Sequence, residues 1–340
     1  MRTKMEPVIL ACTRVWLIII SCLVFSIAGD IGVMSSSSST VAEATAGLLS
    51  YQYYETSCPQ VESIVADKLT PILLSDPASS AALLRLLFHD CQVQGCDASI
   101  LLDSDTSEMG SRKNFAIHNR ETIGIIKTAV DSVCPGTVSC SDILVLAARD
   151  AVAMSGGPEM KVLLGRKDSN TSNHTFADAS LPAANAGVSE ILSIFTKRGM
   201  TVEESVVILG SHTLGVSHCV NIMDRFSRQI IGANRTPFET LLEVRCAFGA
   251  SISNSGTVGN DVTITKFDNQ YYKDTIRGRG LLKIDSDMST DPRTAPIVER
   301  FAQNQNEFFK EFTAAFLKLT SANVLTGHQG LVRTKCNAVN

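Results

Sequence analysis

The sequence predicts an all-α protein, on three observations. Stretches such as VESIVADKLTPILLSD, PASSAALLRLLFHDC, NRETIGIIKTAVDSVC, SCSDILVLAARDAVAMSGG, VSEILSIFTKRG, TVEESVVILGSHTLGVSHC and FFKEFTAAFLKLT space their apolar residues at helical intervals. Start and stop signals bracket several of them. Ser139 and Thr201 read as N-caps, the second forming a capping box with Glu204, and Gly156, Gly157 and Pro158 end a helix. Strand-like pieces such as MKVLLGRKD are few, and no repeat of fixed period is present.

The chain has 340 residues, 44% hydrophobic and 19% charged, which suits a well-cored globular protein. Its formal net charge is −4 with no basic run, which argues against a nucleic-acid partner. Arg2, Lys4 and Arg14 precede an apolar run from Val15 to Ala28. That run is shorter than the roughly 20 apolar residues that span a bilayer, so it reads as a secretory signal, with a retained anchor as the alternative. Residues 1–46 are therefore expected to be signal peptide and Ser-rich spacer, cut near Ala28 and Gly29 or after Ala46, with residues 47–340 as a single domain. Of ten cysteines, Cys12 and Cys22 lie in the signal segment. The even remainder, in a secreted chain, reads as disulfides of undetermined pairing. Asn170, Asn173 and Asn234 begin glycosylation sequons that fit the same compartment.

Two constellations stand out. In LLRLLFHDCQVQGCD, Arg85 and His89 interrupt an apolar helix one turn apart and so point the same way. Asp90, Asp97, Ser99 and Gly95 then surround a loop that Cys91 and Cys96 can close. Oxygen donors on a tight loop suit a hard cation such as Ca²⁺, with zinc as the rival for Cys and His together. In VVILGSHTLGVSHC, His212 sits within a second apolar segment. A lone buried histidine is usually a hydrogen-bonded core residue, but two on apolar helices with distinctive neighbours point to a shared site.

Taken together, these residues resemble the class III secreted haem peroxidases of plants. The distal signature is Arg85, Phe88, His89, Asp90 and Cys91, and the proximal one is Leu209, Gly210, Ser211, His212, Thr213 and Gly215. LGRKDS at 164–169, LPAAN at 181–185, FDNQYY at 267–272 and GLLKIDSD at 280–287 also match, so the resemblance runs from about Tyr51 to Cys336. It implies two mostly helical lobes sandwiching one non-covalent haem b. The distal lobe is expected at about 47–186 plus 302–340, and the proximal lobe at about 187–301. The implied disulfides are Cys58 with Cys134, Cys91 with Cys96, Cys140 with Cys336, and Cys219 with Cys246.

The resemblance also implies roles. His212 is the axial ligand of the haem iron, with Asp285 accepting from its ring. His89 is the acid–base group toward hydrogen peroxide, with Arg85 stabilising developing charge, Asn114 fixing the His89 ring, Glu108 supporting Asn114, and Phe88 walling the pocket. From the reference imidazole value of about 6.5, acid should slow the peroxide step as His89 takes a proton. Phenolic donors would be oxidised by one-electron steps near Leu181, Pro182 and Ala183. Two Ca²⁺ are implied. The distal one involves Asp90, Val93, Gly95, Asp97 and Ser99, with Glu108 indirect. The proximal one involves Thr213, Asn260 or Asp261, Thr263, Lys266 and Asp268.

The chain departs from the family pattern at several places. Asn260 and Asp261 occupy a shifted calcium loop, and Ile264 replaces a proline. Ala78 replaces an arginine, Lys113 a proline, and Asn221 a phenylalanine near the donor edge. These changes leave the peroxide chemistry in place and bear on donor preference. The expected product is a monomeric, extracellular enzyme of the cell wall, without a membrane segment once mature. A non-catalytic secreted scaffold of the same fold is the alternative. A zinc hydrolase built on His212, His218 and Cys219 is disfavoured by the lack of HExxH.

Overall fold

Apolar periodicity becomes helix wherever a cap and a breaker bracket it. The computed structural model describes residues 48–226, 236–250 and 256–340. The expected signal and spacer, Cys12, Cys22 and the sequon at Asn234 lie outside the described residues. The helices are α1 Val61–Ser75, α2 Ser79–Val93, α3 Arg120–Val133, α4 Cys140–Met154, α5 His174–Ser180 and α6 Val188–Thr196. They continue as α7 Val202–Leu209, α8 Pro237–Ala250, α9 Gln270–Ile276, α10 Lys283–Asp287, α11 Ala295–Gln303 and α12 Gln305–Ser321. All described residues fall within one compact unit, Ser38–Asn340. No helix among them is long and apolar enough to cross a membrane.

Helix α4 is the axis of the core. Every residue from Cys140 to Ala148 is buried, the polar Ser141 and Asp142 included, so this stretch carries no solvent stripe. Helices α1, α2 and α3 pack around it. Ser139 caps it, its hydroxyl accepting from the Asp142 amide at 3.1 Å. The same core continues where α12 packs on α7 and α9 on α11. There Phe308, Phe312 and Phe316 repeat at one-turn intervals and are fully buried. Phe267 stacks on Phe308 with ring centroids 5.5 Å apart.

One expected helix is shorter than its pattern. The stretch 201–219 reads as continuous helix, yet α7 stops at Leu209, a 3-10 turn spans Gly210–Thr213, and β1 follows at Val216–His218. Gly215, at φ +85°, turns the chain between them, where a Cβ would sit 2.7 Å from the Ala81 Cβ. His212 is therefore on a 3-10 turn, not on a helix face. Strand β1 pairs antiparallel with β2, Thr257–Gly259, with Val216 opposite Gly259 and His218 opposite Thr257.

Covalent and ionic ties hold the loops. The cysteines pair Cys58–Cys134, Cys91–Cys96, Cys140–Cys336 and Cys219–Cys246. The LGRKDS stretch supplies a buried polar brace. Arg166, with no solvent exposure, donates to Asp142 Oδ1 at 2.8 Å, to the Leu163 carbonyl at 2.6 Å and, through Nε, to the Thr320 carbonyl at 2.7 Å. Asp142 also accepts from the Tyr54 hydroxyl at 2.8 Å and the Gly165 amide at 2.7 Å. Asp168 accepts from the Cys140, Ser141 and Arg333 amides, placing a carboxylate at the N-terminus of α4.

Removing one partner of the Arg166–Asp142 pair strands a charge in the core. Arg166→Met is expected to cost about 3–5 kcal/mol of stability, read as a lowered urea midpoint. Arg300→Ala breaks partly exposed ion pairs with Glu203 and Glu307, and is expected to cost under about 1 kcal/mol. Equal effects of the two substitutions would contradict the brace.

Candidate active site

Helix α2 carries Arg85 one turn before Phe88, His89 and Asp90, held by the buried Leu83, Leu84, Leu86 and Leu87. His89 is buried, and its Nδ1 lies 2.6 Å from Asn114 Oδ1. Asn114 ends a 3-10 turn, Arg112–Asn114, and its amide Nδ2 donates to the Glu108 carbonyl at 2.8 Å. A carbonyl only accepts, so the NH₂ of Asn114 faces Glu108 and its oxygen faces His89. His89 must then carry its proton on Nδ1, which leaves a lone pair on Nε2. Burial lowers the His89 pKa to about 3, helped by the Arg85 cation and more weakly by His212, against the bond from Asn114.

Arg85 donates to the Phe115 carbonyl at 3.1 Å. Burial brings its pKa down to about 10, which still leaves it cationic at neutral pH. The Phe88 ring stands edge-on to the His89 ring at 6.0 Å and tilts against Phe195 at 5.7 Å, forming an apolar wall.

His212 Nδ1 lies 2.9 Å from Asp285 Oδ1 on α10. A carboxylate accepts, so here too Nδ1 holds the proton and Nε2 keeps its lone pair. Asp285 is buried, and its Oδ2 takes the Leu282 amide at 2.8 Å. Among the described residues no hydrogen bond is found at either Nε2.

The Pro182 segment follows α5. Leu181 is fully buried with Val93 and Ala177 against Phe88, and Pro182 is half-buried. The departure at Lys113 has a structural use. Its ammonium donates to the Asp178 carbonyl at 2.6 Å and the Leu181 carbonyl at 2.5 Å, tying this segment to the turn that carries Asn114. Phe115, 39% exposed, meets the His218 ring edge-on at 5.3 Å. Sequence reading missed Phe115, although it directly follows Asn114. Asn221 lies in the 3-10 turn Cys219–Arg225 and Ala78 precedes α2.

Two groups of oxygen donors flank this centre. In the first, Asp90, Asp97, Ser99 and Glu108 are all buried. Asp90 accepts from the Ala98 and Ile100 amides, Asp97 from the Ser99 amide, and Glu108 Oε1 from the Ser99 hydroxyl at 2.6 Å. Glu108 Oε2 is buried without a partner. Burial, with repulsion from Asp97 and Glu108, raises the Asp90 pKa well above the carboxylate range, and burial pushes Glu108 up to about 7. The Val93 carbonyl accepts from Arg198 and from Ser180. Gly95, at φ +122°, brings its backbone against Asn323, where a Cβ would lie 2.1 Å from the carbonyl oxygen.

In the second group, the Thr213 hydroxyl donates to Asp261 Oδ2 at 2.6 Å, and Thr263 donates to Asp261 Oδ1 and to Asp268 Oδ1 at 3.0 and 3.1 Å. Burial pushes Asp261 up to about 6 against these bonds. Lys266 Nζ lies 3.5 Å from Asp268. Asn260 turns away: its oxygen accepts from Ser217 at 2.7 Å and its amide donates to the Leu214 carbonyl at 2.9 Å. Among the described residues no three His, Cys, Asp or Glu side chains converge as a metal-holding group. Each of these sets gathers carboxylate and hydroxyl oxygens, the chemistry of a hard cation.

Comparison with known proteins accords with this arrangement. The family described as Peroxidase matches residues 61–304. Peroxidase 29 of Arabidopsis thaliana is 51% identical over 301 residues, which cover 86% of this chain and 89% of that protein. Peroxidase 63 of the same plant is 37% identical over 297 residues, covering 86% and 90%. Basic peroxidase of Zinnia elegans is 38% identical over 297 residues, covering 85% and 89%. With a family match over most of the chain and relatives this similar, the protein belongs to the peroxidase family, in its class III plant branch.

Proposed function

We propose that this peroxidase is secreted and reduces hydrogen peroxide while oxidising small phenolic donors one electron at a time. The observation that carries the reading is the pair of imidazoles, each pinned at Nδ1 and each keeping an Nε2 lone pair, with a guanidinium one helical turn from one of them. Haem, the cofactor of the family, fits these residues: His212 Nε2 is the group that would hold its iron, and His89 and Arg85 would stand on the other face. When bound, haem supplies the iron that takes peroxide and passes on its oxidising power.

The residues then divide the proton work. With haem bound, neutral His89 would accept a proton at Nε2 from hydrogen peroxide and return it to the departing oxygen, which would leave as water. Arg85 stabilises the negative charge that builds as the O–O bond breaks. Two phenols each give one electron and one proton, so one peroxide yields two waters and two phenoxyl radicals. Asp285 holds the His212 ring and enriches it in electrons, favouring oxidised iron. Pro182, on the segment that Lys113 anchors, lines the proposed donor edge. Four disulfides support an oxidising compartment.

We assign one Ca²⁺ to the loop of Asp90, Val93, Gly95, Asp97 and Ser99. The other goes to Thr213, Thr263, Asp268, the Lys266 carbonyl and Asp261 in preference to Asn260. Both groups hold carboxylates that burial makes costly to ionise, which a bound dication offsets.

The first test is a haem absorption spectrum together with peroxide-dependent oxidation of guaiacol; a protein lacking both defeats the reading. His89→Ala is expected to slow the stopped-flow reaction with peroxide by about 10²–10⁴-fold with haem retained, and a near-native rate would remove its role.

The pH profile of that step follows from the lowered His89 pKa. The neutral, competent form persists as pH falls from 7, and the rate drops only near the value of about 3 at which His89 takes a proton. A midpoint near the free-imidazole value of about 6.5 would show that His89 is not held as described.

For calcium, Asp261→Ala is expected to lose one equivalent of bound metal by elemental analysis, whereas Asn260→Ala keeps it. The reverse pattern would reassign the ligand.

A further inference from the structure

Tyr271 belongs to the FDNQYY stretch, of which Phe267 and Asp268 have roles above and Tyr271 has none. It lies on α9 and is 2% exposed. Its hydroxyl donates to Asp285 Oδ1 at 2.6 Å, the same oxygen that His212 Nδ1 reaches at 2.9 Å. The Tyr271 ring stands edge-on to the His212 imidazole, with centroids 5.8 Å apart and planes at 87°. Its own position is fixed from behind by Tyr272, edge-on at 5.1 Å, whose hydroxyl is spent on the Val206 carbonyl at 3.0 Å. The other Asp285 oxygen is committed to the Leu282 amide at 2.8 Å. The carboxylate therefore serves three donors, two of them on one oxygen.

We propose that Tyr271 is a positioning residue that sets how strongly Asp285 draws on the ring proton of His212. The inference rests on His212 being the axial ligand. A phenol is a good donor to a carboxylate, and charge-assisted bonds of this kind are the strong ones. The charge that Oδ1 gives to Tyr271 is withheld from His212 Nδ1–H, because two donors on one acceptor divide its electron density. With the hydroxyl present, the imidazole keeps more of its proton and is a weaker electron donor at Nε2. Without it, Asp285 pulls harder, Nε2 becomes more electron-rich, and a metal held there is favoured in its oxidised form. The device is a brake on Asp285, set by a single hydroxyl.

Tyr271→Phe keeps the ring and removes only that hydroxyl. In the haem-loaded protein it is expected to raise the iron–histidine stretching frequency of the ferrous form in resonance Raman spectra. The ferric/ferrous midpoint potential is expected to become more negative. Asp285→Asn, which removes the pull altogether, should move both readouts the opposite way. A ring-fluorinated tyrosine at position 271, a stronger donor of the same shape, should shift them in the direction of Asp285→Asn. This second variant covers the case in which Tyr271→Phe does not fold. If both Tyr271 variants match the wild type while Asp285→Asn shifts, the hydroxyl is only filling space and the proposal is overturned. If the wild type shows no iron–histidine band at all, His212 is not the ligand, and the axial assignment falls along with the proposal.

Discussion

Both halves of the site depend on one constraint: an imidazole is useful here only if its Nδ1 proton is held by an acceptor. Asn114 does this for His89 and Asp285 for His212. The two acceptors differ in charge, and the difference sorts the rings into two tasks. A neutral amide fixes the His89 tautomer without raising its basicity much, so burial and the nearby guanidinium keep the ring unprotonated. A carboxylate pushes electron density into His212, the property required of a metal ligand. Exchanging the acceptors would exchange the chemistry.

Holding those acceptors requires a scaffold that tolerates buried charge. Around α4 the tolerance comes from explicit partners: Asp142 faces Arg166, and Asp168 accepts three backbone amides. Around the site it comes from a different source. Asp90, Asp97 and Glu108 are buried among hydroxyls and amides, and no guanidinium or ammonium is hydrogen-bonded to them. Their pKa values are raised chiefly by burial, which the nearby Arg333 cation offsets only in part for Asp97. The same loop presents Glu108's carbonyl to Asn114, so whatever neutralises the carboxylates also steadies the turn that orients His89. Loop charge and catalytic geometry are linked through a single residue.

Much of this was legible in the chain. The one-turn spacing of Arg85 and His89 put them on a common face before any coordinates, because a helix leaves no other choice. The caps at Ser139 and Thr201 marked helix starts that the structure has, since they are local hydrogen bonds within three residues. The reading failed where local and distant demands diverged. The stretch 201–219 has a helical period throughout, yet it breaks after Leu209, and Gly215 then folds the chain closely against Ala81. Nor could periodicity separate Asn260 from Asp261, which differ by one position and face opposite ways. Lys113 was visible as a departure, but its two carbonyl partners lie 65 and 68 residues away.

The sequence by itself determined the helical class, and its motifs pointed to the family and to the side chains proposed to react. Those properties are written in residue type and short-range spacing, which act within a turn or two of chain. Tertiary structure decided which acceptor meets which ring, which of two adjacent residues joins the proximal oxygen cluster, and that Tyr271 shares an oxygen with His212. Such choices depend on distances between segments far apart in sequence, and those distances are set only when the core that joins α4 and α12 packs and leaves each polar group one place to go.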